Sequence, residues 1–253
     1  PSSEAMTTGR AGKVRRGALG GGPALEGVGT LALAALVWVG VHVGIAGTAV
    51  RRAAVARLGE NGFRIGFSVL SVAAIFFLVR SYNASGTAVL WTAPEWLRWL
   101  LALAMLPAFV LFAASVSAPN PTMAGGERAL GGEARGVQRI TRHPMLWSFA
   151  LWAAVHMLGS GDTASLLFFG AFGVTALAGM PSIDAKVAAR EPEAWGRFAA
   201  RTSILPFGAI AAGRNRLDLA ELGWKPWAIG LAMWAVLLAF HRTLFGVPAV
   251  LTG

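Results

Sequence analysis

Six apolar runs divide this chain, at roughly 29–49, 62–80, 96–116, 144–160, 162–180 and 226–247. Each is close to the ~20 residues that a helix needs to cross about 30 Å of hydrocarbon. Inside lipid every backbone N–H and C=O must be satisfied within the protein, and runs of this length do that as helices. The expected fold is therefore all-α, an integral membrane bundle of about six transmembrane helices. Composition agrees: 13% of residues are charged and mean hydropathy is +0.59, whereas an ordinary soluble domain carries about 25% charge. The fourth and fifth runs are joined by Gly159-Ser160-Gly161-Asp162, a turn tight enough for a helical hairpin.

The chain carries a net charge of +10. Basic residues concentrate in three loops, at 51–64, 128–142 and 186–225, and the loops between them are nearly free of Lys and Arg. That pattern suits loops at anionic headgroups and argues against nucleic acid as a partner. It predicts a bacterial inner-membrane protein with odd-numbered loops in the cytoplasm and both termini outside. Arg10, Lys13, Arg15 and Arg16 oppose that orientation; they lie in a Gly-, Ser- and Thr-rich segment, residues 1–27, which reads as a disordered basic tail before a transmembrane domain at 28–253. The chain has no cysteine, which excludes disulfides, thiolate metal sites and a cysteine nucleophile.

Ionisable groups are costly within a span, so each is a candidate functional residue. His42 and His156 lie within apolar runs, and His143 stands at the mouth of one, in Arg142-His143-Pro144. Gly40 and Gly44 have the spacing that lets two membrane helices approach closely. His42 would face away from that seam, either lining a pocket or hydrogen-bonding a neighbouring helix. Pro144 suits a first helical turn and leaves His143 at the helix start. Met145, Phe149, Trp152 and His156 fall on one face of that helix, a stripe that suits plain packing or a flat apolar cofactor. His241, beside Arg242 near the outer end of the last run, reads as an interfacial group. Glu60 and Arg64 are four apart and would pair if their loop is helical. Trp195, Phe198, Ala199 and Thr202 recur opposite arginines and predict an amphipathic helix on the cytoplasmic surface.

Taken together, His42-Val-Gly44, Gly59-Glu60, Arg142-His143-Pro144-Met145-Leu146-Trp147, Trp152, His156, Gly161-Asp162, Ile183-Asp184, Trp195 and Pro206-Phe207 resemble the NnrU family, which is related to the 15-cis-zeta-carotene isomerases. The resemblance runs from about residue 31 to the end of the chain. It implies haem b as cofactor, iron ligated by His42 and His156, and either cis-trans isomerisation of a polyene or a supporting role in denitrification. Arg142, His143 and Trp152 join the two ligands as cofactor-binding candidates. The resemblance also places Ala153 where the isomerases have a cysteine. On span boundaries alone, His42 and His156 differ in depth, and His143 fits His42 better. Two alternatives stand beside it. One is an S-adenosylmethionine-dependent membrane methyltransferase of the isoprenylcysteine carboxyl type, which the Arg-His-Pro segment also resembles. The other is a non-enzymatic assembly factor working with a respiratory or biosynthetic membrane partner.

Overall fold

The computed structural model describes residues 25–46, 48–123 and 126–250; the expected basic tail lies almost wholly outside them. Among the described residues there is no strand, only one isolated bridge between Val89 and Asp162. Ten helices follow in order: α1 (Val28–Val39), α2 (Ala49–Ala84), α3 (Glu95–Ser117), α4 (Val137–Ile140), α5 (Pro144–Ser160), α6 (Thr163–Arg190), α7 (Pro192–Arg201), α8 (Gly208–Ala211), α9 (Leu219–Leu222) and α10 (Lys225–Phe245). Five segments are long and apolar enough to cross a membrane: Val28–Ile45, α2, α3, α6 and α10. With the 17-residue α5, they form the six-helix membrane bundle expected from sequence. Their packing order is α10, α3, α5, α6, α1, α2. Helix contacts in lipid depend on close fit and hydrogen bonding rather than on expulsion of water. Accordingly Gly230 of α10 lies so close to Val110 of α3 that an added Cβ would fall 2.8 Å from the Val110 backbone nitrogen. Trp234 Nε1 donates to the Ala102 carbonyl across the same seam, at 2.6 Å.

Two helices depart from the expected outline. α1 does not continue to residue 49; it widens into a π-helical turn over Gly40–Ile45 and stops. The expected basic loop after it is largely helix, because α2 begins at Ala49 with Thr48 as its cap. That helix breaks at Gly59, whose φ of 71° and ψ of 169° only glycine adopts readily. The break separates a short arginine-rich segment from the spanning part. Glu60, just beyond it, accepts from Arg51 at 2.6 Å and from Arg64 at 3.3 Å, so the Glu60–Arg64 pair forms and gains a second arginine.

Among the described residues the Gly40/Gly44 seam is not used. An added Cβ at either position would meet nothing within 4 Å. A π turn changes the angular step per residue, so a spacing read at α-helical period no longer marks one face. Close approach occurs instead at Gly230, and at Gly173, whose Cβ would lie 3.5 Å from that of Ala153.

The tight hairpin between α5 and α6 is as the sequence predicts. Gly161 has φ 65° and accepts from the backbone of Leu90 and Trp91; an added Cβ there would fall 2.2 Å from the Trp91 carbonyl oxygen. Asp162 caps α6 through Ser165 and also accepts from Thr87, tying the 85–94 connection to the hairpin. At the opposite, arginine-rich end, α7 forms where expected, but its apolar face is covered by protein. Trp195 and Phe198 are buried against Leu130, Ala134 and Val187.

Candidate functional site

His42 lies in the π turn at the end of α1. Its Nδ1 is 2.9 Å from the Trp38 carbonyl oxygen, four residues back. His156, near the end of α5, repeats the arrangement with Nδ1 2.8 Å from the Trp152 carbonyl. A carbonyl accepts only from an N–H, so in each ring Nδ1 carries a proton, which in the neutral imidazole leaves the lone pair on Nε2. This is how metal-binding imidazoles are usually oriented. Among the described residues neither Nε2 has a hydrogen-bond partner.

Between the two histidines runs a file of aromatic rings. His42 stacks on Trp38 with ring centres 3.9 Å apart, Trp38 meets Phe172 at 4.9 Å, Phe172 meets Trp152 edge-on at 5.2 Å, and Trp152 meets His156 at 5.2 Å. Phe172 comes from α6, which packs between α1 and α5. Trp152, expected from sequence to face the site, therefore does so, while Phe172 and its neighbour Phe169 are partners that sequence reading missed. Their signal was present as an apolar pair three residues apart in the fifth run.

The donor chemistry of His42 and His156, each with Nδ1 against a backbone carbonyl, fits a haem iron. Among the described residues no three His, Asp or Glu side chains cluster as a metal site.

The Arg142-His143 pair is elsewhere, at the arginine-rich end, and faces neither His42 nor His156. His143 is 1% exposed, and its Nε2 is 2.7 Å from Asp184 Oδ1. Arg142 donates to both Asp184 oxygens, from Nε at 3.1 and 3.0 Å and from Nη2 at 2.5 Å, while its guanidinium lies 5.4 Å from the Trp195 ring centre. The backbone is fastened too: Arg142 N–H donates to the Ser203 carbonyl, and Thr122 Oγ1 donates to that of Arg142. Both side chains, candidates for cofactor binding by sequence, are thus committed to Asp184 at the junction of α5, α6 and α7. Asp184 itself could have been noticed as an acid at the end of an apolar run.

Two residues further along α6 and about 200° around it, Lys186 turns to α1 and donates to the Ala46 carbonyl at 3.2 Å. Arg51 lies over the Phe63 ring, and Phe67 meets His42 edge-on at 5.6 Å. The arginine-rich end is latched further by Arg139, which donates from Nε and Nη2 to Glu221 at 2.6 and 2.8 Å. This guanidinium and the Gly136 N–H hold the Glu221 carboxyl down to about 2, and Glu221 in turn raises the Arg139 pKa.

The fold and its embedded imidazoles define a polytopic helical membrane protein with histidines exposed to an apolar interior. Residues 30–249 match the family described as NnrU protein, and the chain belongs to that family. Among curated proteins it is similar to the chloroplastic 15-cis-zeta-carotene isomerase of Arabidopsis thaliana, 26% identical over 189 residues, covering 72% of this chain and 50% of that protein. It is also similar to the Zea mays enzyme of the same name, 33% identical over 82 residues, covering 32% of this chain and 22% of that protein. The chain thus spans at most about half the length of these relatives. No solved structure matches.

Proposed function

We propose that this protein binds haem b and isomerises one double bond of an extended apolar polyene drawn from the bilayer. The observation that carries the reading is the half-buried file Trp38, Phe172 and Trp152, with an imidazole at each end. Flat rings offer a polyene dispersion contacts along its length and no polar group that would need desolvation. Isomerisation adds and removes no atoms and has no net redox change, which suits a site without an acid–base pair. The similarity to zeta-carotene isomerases supports this substrate class. Haem is the cofactor the family resemblance implies, and would supply Lewis-acid or one-electron contact with the double bond. The distribution of arginine supports a bacterial inner-membrane location with the Arg142 end in the cytoplasm.

The test is incubation of haem-supplied, detergent-purified protein with 15-cis-zeta-carotene, with isomers separated chromatographically. Conversion is expected, reduced at least tenfold in Phe172→Ala with folding intact. Absence of conversion by haem-loaded protein, or conversion unaffected by Phe172→Ala and Trp38→Ala together, would overturn the reading.

A further inference from the structure

Lys186 is a half-buried cation whose only hydrogen bond among the described residues goes to a neutral oxygen, the Ala46 carbonyl. An ammonium withdrawn from water is costly until an anion meets it. It carries three donors, of which this bond uses one. Arg51 lies close enough for its charge to act on Lys186. Only Nη2 of Arg51 is taken, by the Glu60 carboxylate; its Nε and Nη1 donate to nothing among the described residues. Glu60 is shared with Arg64 as well, so the carboxylate at this end serves two arginines and leaves Lys186 without one.

The ground between these cations and His42 is aromatic. Arg51 lies 5.2 Å over the Phe63 ring, Phe63 stacks on Phe67 at 5.7 Å, and Phe67 meets His42 edge-on at 5.6 Å. Ala46, which holds Lys186, is four residues beyond His42, about 6 Å along the helix axis. One end therefore offers an imidazole whose Nδ1 is fixed on a carbonyl, the middle a flat apolar wall, and the other end two cations with donors to spare. A ligand complementary to all three is flat and apolar, carries a metal in its plane and bears carboxylates along one edge. A hydrocarbon polyene would use the wall alone and has nothing for the cations.

We propose that Lys186 and Arg51 clamp the two propionate carboxylates of haem b, with the ring edge against Phe63 and Phe67 and the iron toward His42. This rests on the haem reading above and adds the orientation of the ring, whose polar edge faces the arginine-rich end of the bundle. Hydrogen bonds from an ammonium or a guanidinium to a carboxylate are charge-assisted and stronger than neutral ones. A propionate also supplies the anion that Lys186 lacks.

The experiment titrates haem-free protein in detergent with haem b and, separately, with its dimethyl ester, whose carboxylates are blocked, reading each Kd from the porphyrin absorption band. The parent should bind haem at least tenfold more tightly than the ester, the scale of one hydrogen bond to a charged group. Lys186→Met and Arg51→Gln together should bring the two within about threefold, by weakening haem and leaving the ester's Kd unchanged. Unchanged ester binding also shows that the variant is folded. Lys186→Arg should keep the preference for haem. Equal affinity for both porphyrins in the parent, or a preference kept in the double variant, would overturn the clamp and leave haem binding standing. Loss of both porphyrins in the double variant would assign the two cations to folding and overturn the clamp as well. A parent that takes up neither porphyrin would overturn the haem reading and the clamp with it.

Discussion

Replacing Asp184 with alanine removes the common partner of a buried arginine and a buried histidine, and the cost follows from the geometry. The carboxylate accepts from Arg142 through two of its nitrogens and contacts His143 at 2.7 Å, with the Arg142 and Asp184 side chains only 13% and 14% exposed. Hydrogen bonds to a charged group contribute about 1.5–3 kcal/mol each. Stripping one partner from a buried pair costs about 3–5 kcal/mol, because the remaining charge stays desolvated. Asp184→Ala should therefore lose about 4 kcal/mol, close to a thousandfold in the folding equilibrium. For a chain of this size that corresponds to a melting point lower by roughly 10 °C. Asp184→Asn keeps one acceptor oxygen and should fall between the two. Thermal unfolding in detergent, followed by tryptophan fluorescence and by loss of monodispersity, measures both. A change under about 1 kcal/mol in Asp184→Ala would refute the reasoning, since that is the scale of a solvated surface pair.

Gly161→Ala should destabilise the protein by more than the ~1 kcal/mol of an ordinary αL glycine replacement, because its Cβ would overlap the Trp91 carbonyl; a melting point within 2 °C of the parent would contradict that. Gly59→Ala should cost about 1–3 kcal/mol and loosen Arg51 from Glu60, read as lower stability that Glu60→Gln does not lower much further. Because the folded Glu221 pKa is depressed from 4.5 to about 2, its stabilisation is complete above about 4.5 and declines as pH falls toward 2. Glu221→Gln should flatten that part of the stability–pH curve, and an unchanged acid limb would count against the Arg139 latch.

The spans were legible because lipid imposes one rule on every residue of a run, so length and apolarity suffice. Pro144 at a helix start and Gly161 at a hairpin were legible for a similar reason, since each acts through its own backbone. What depended on partners remote in sequence was not. Nothing near Arg142 announces that Asp184, 42 residues on, takes both its side chain and that of His143. The apolar stripe of α7 read as lipid-facing because periodicity shows that a face is apolar without showing what covers it. His241 read as interfacial from its place in its own helix, and only the order of helices brings it to His156.

The π turn at Gly40–Ile45 amounts to one residue more than an α-helix needs over that stretch. Deleting a single residue there, at Gly40 for instance, would return α1 to regular periodicity. Residues beyond the turn would then keep their facing relative to Trp38, because an extra residue taken up in a π turn leaves the register on either side unchanged. His42, inside the turn, would shift against the Trp38 ring while Ala46 kept its place beside Lys186, with hydropathy hardly altered. A one-residue gap in this segment among relatives therefore marks loss of the π turn, with the helical faces on either side still aligned.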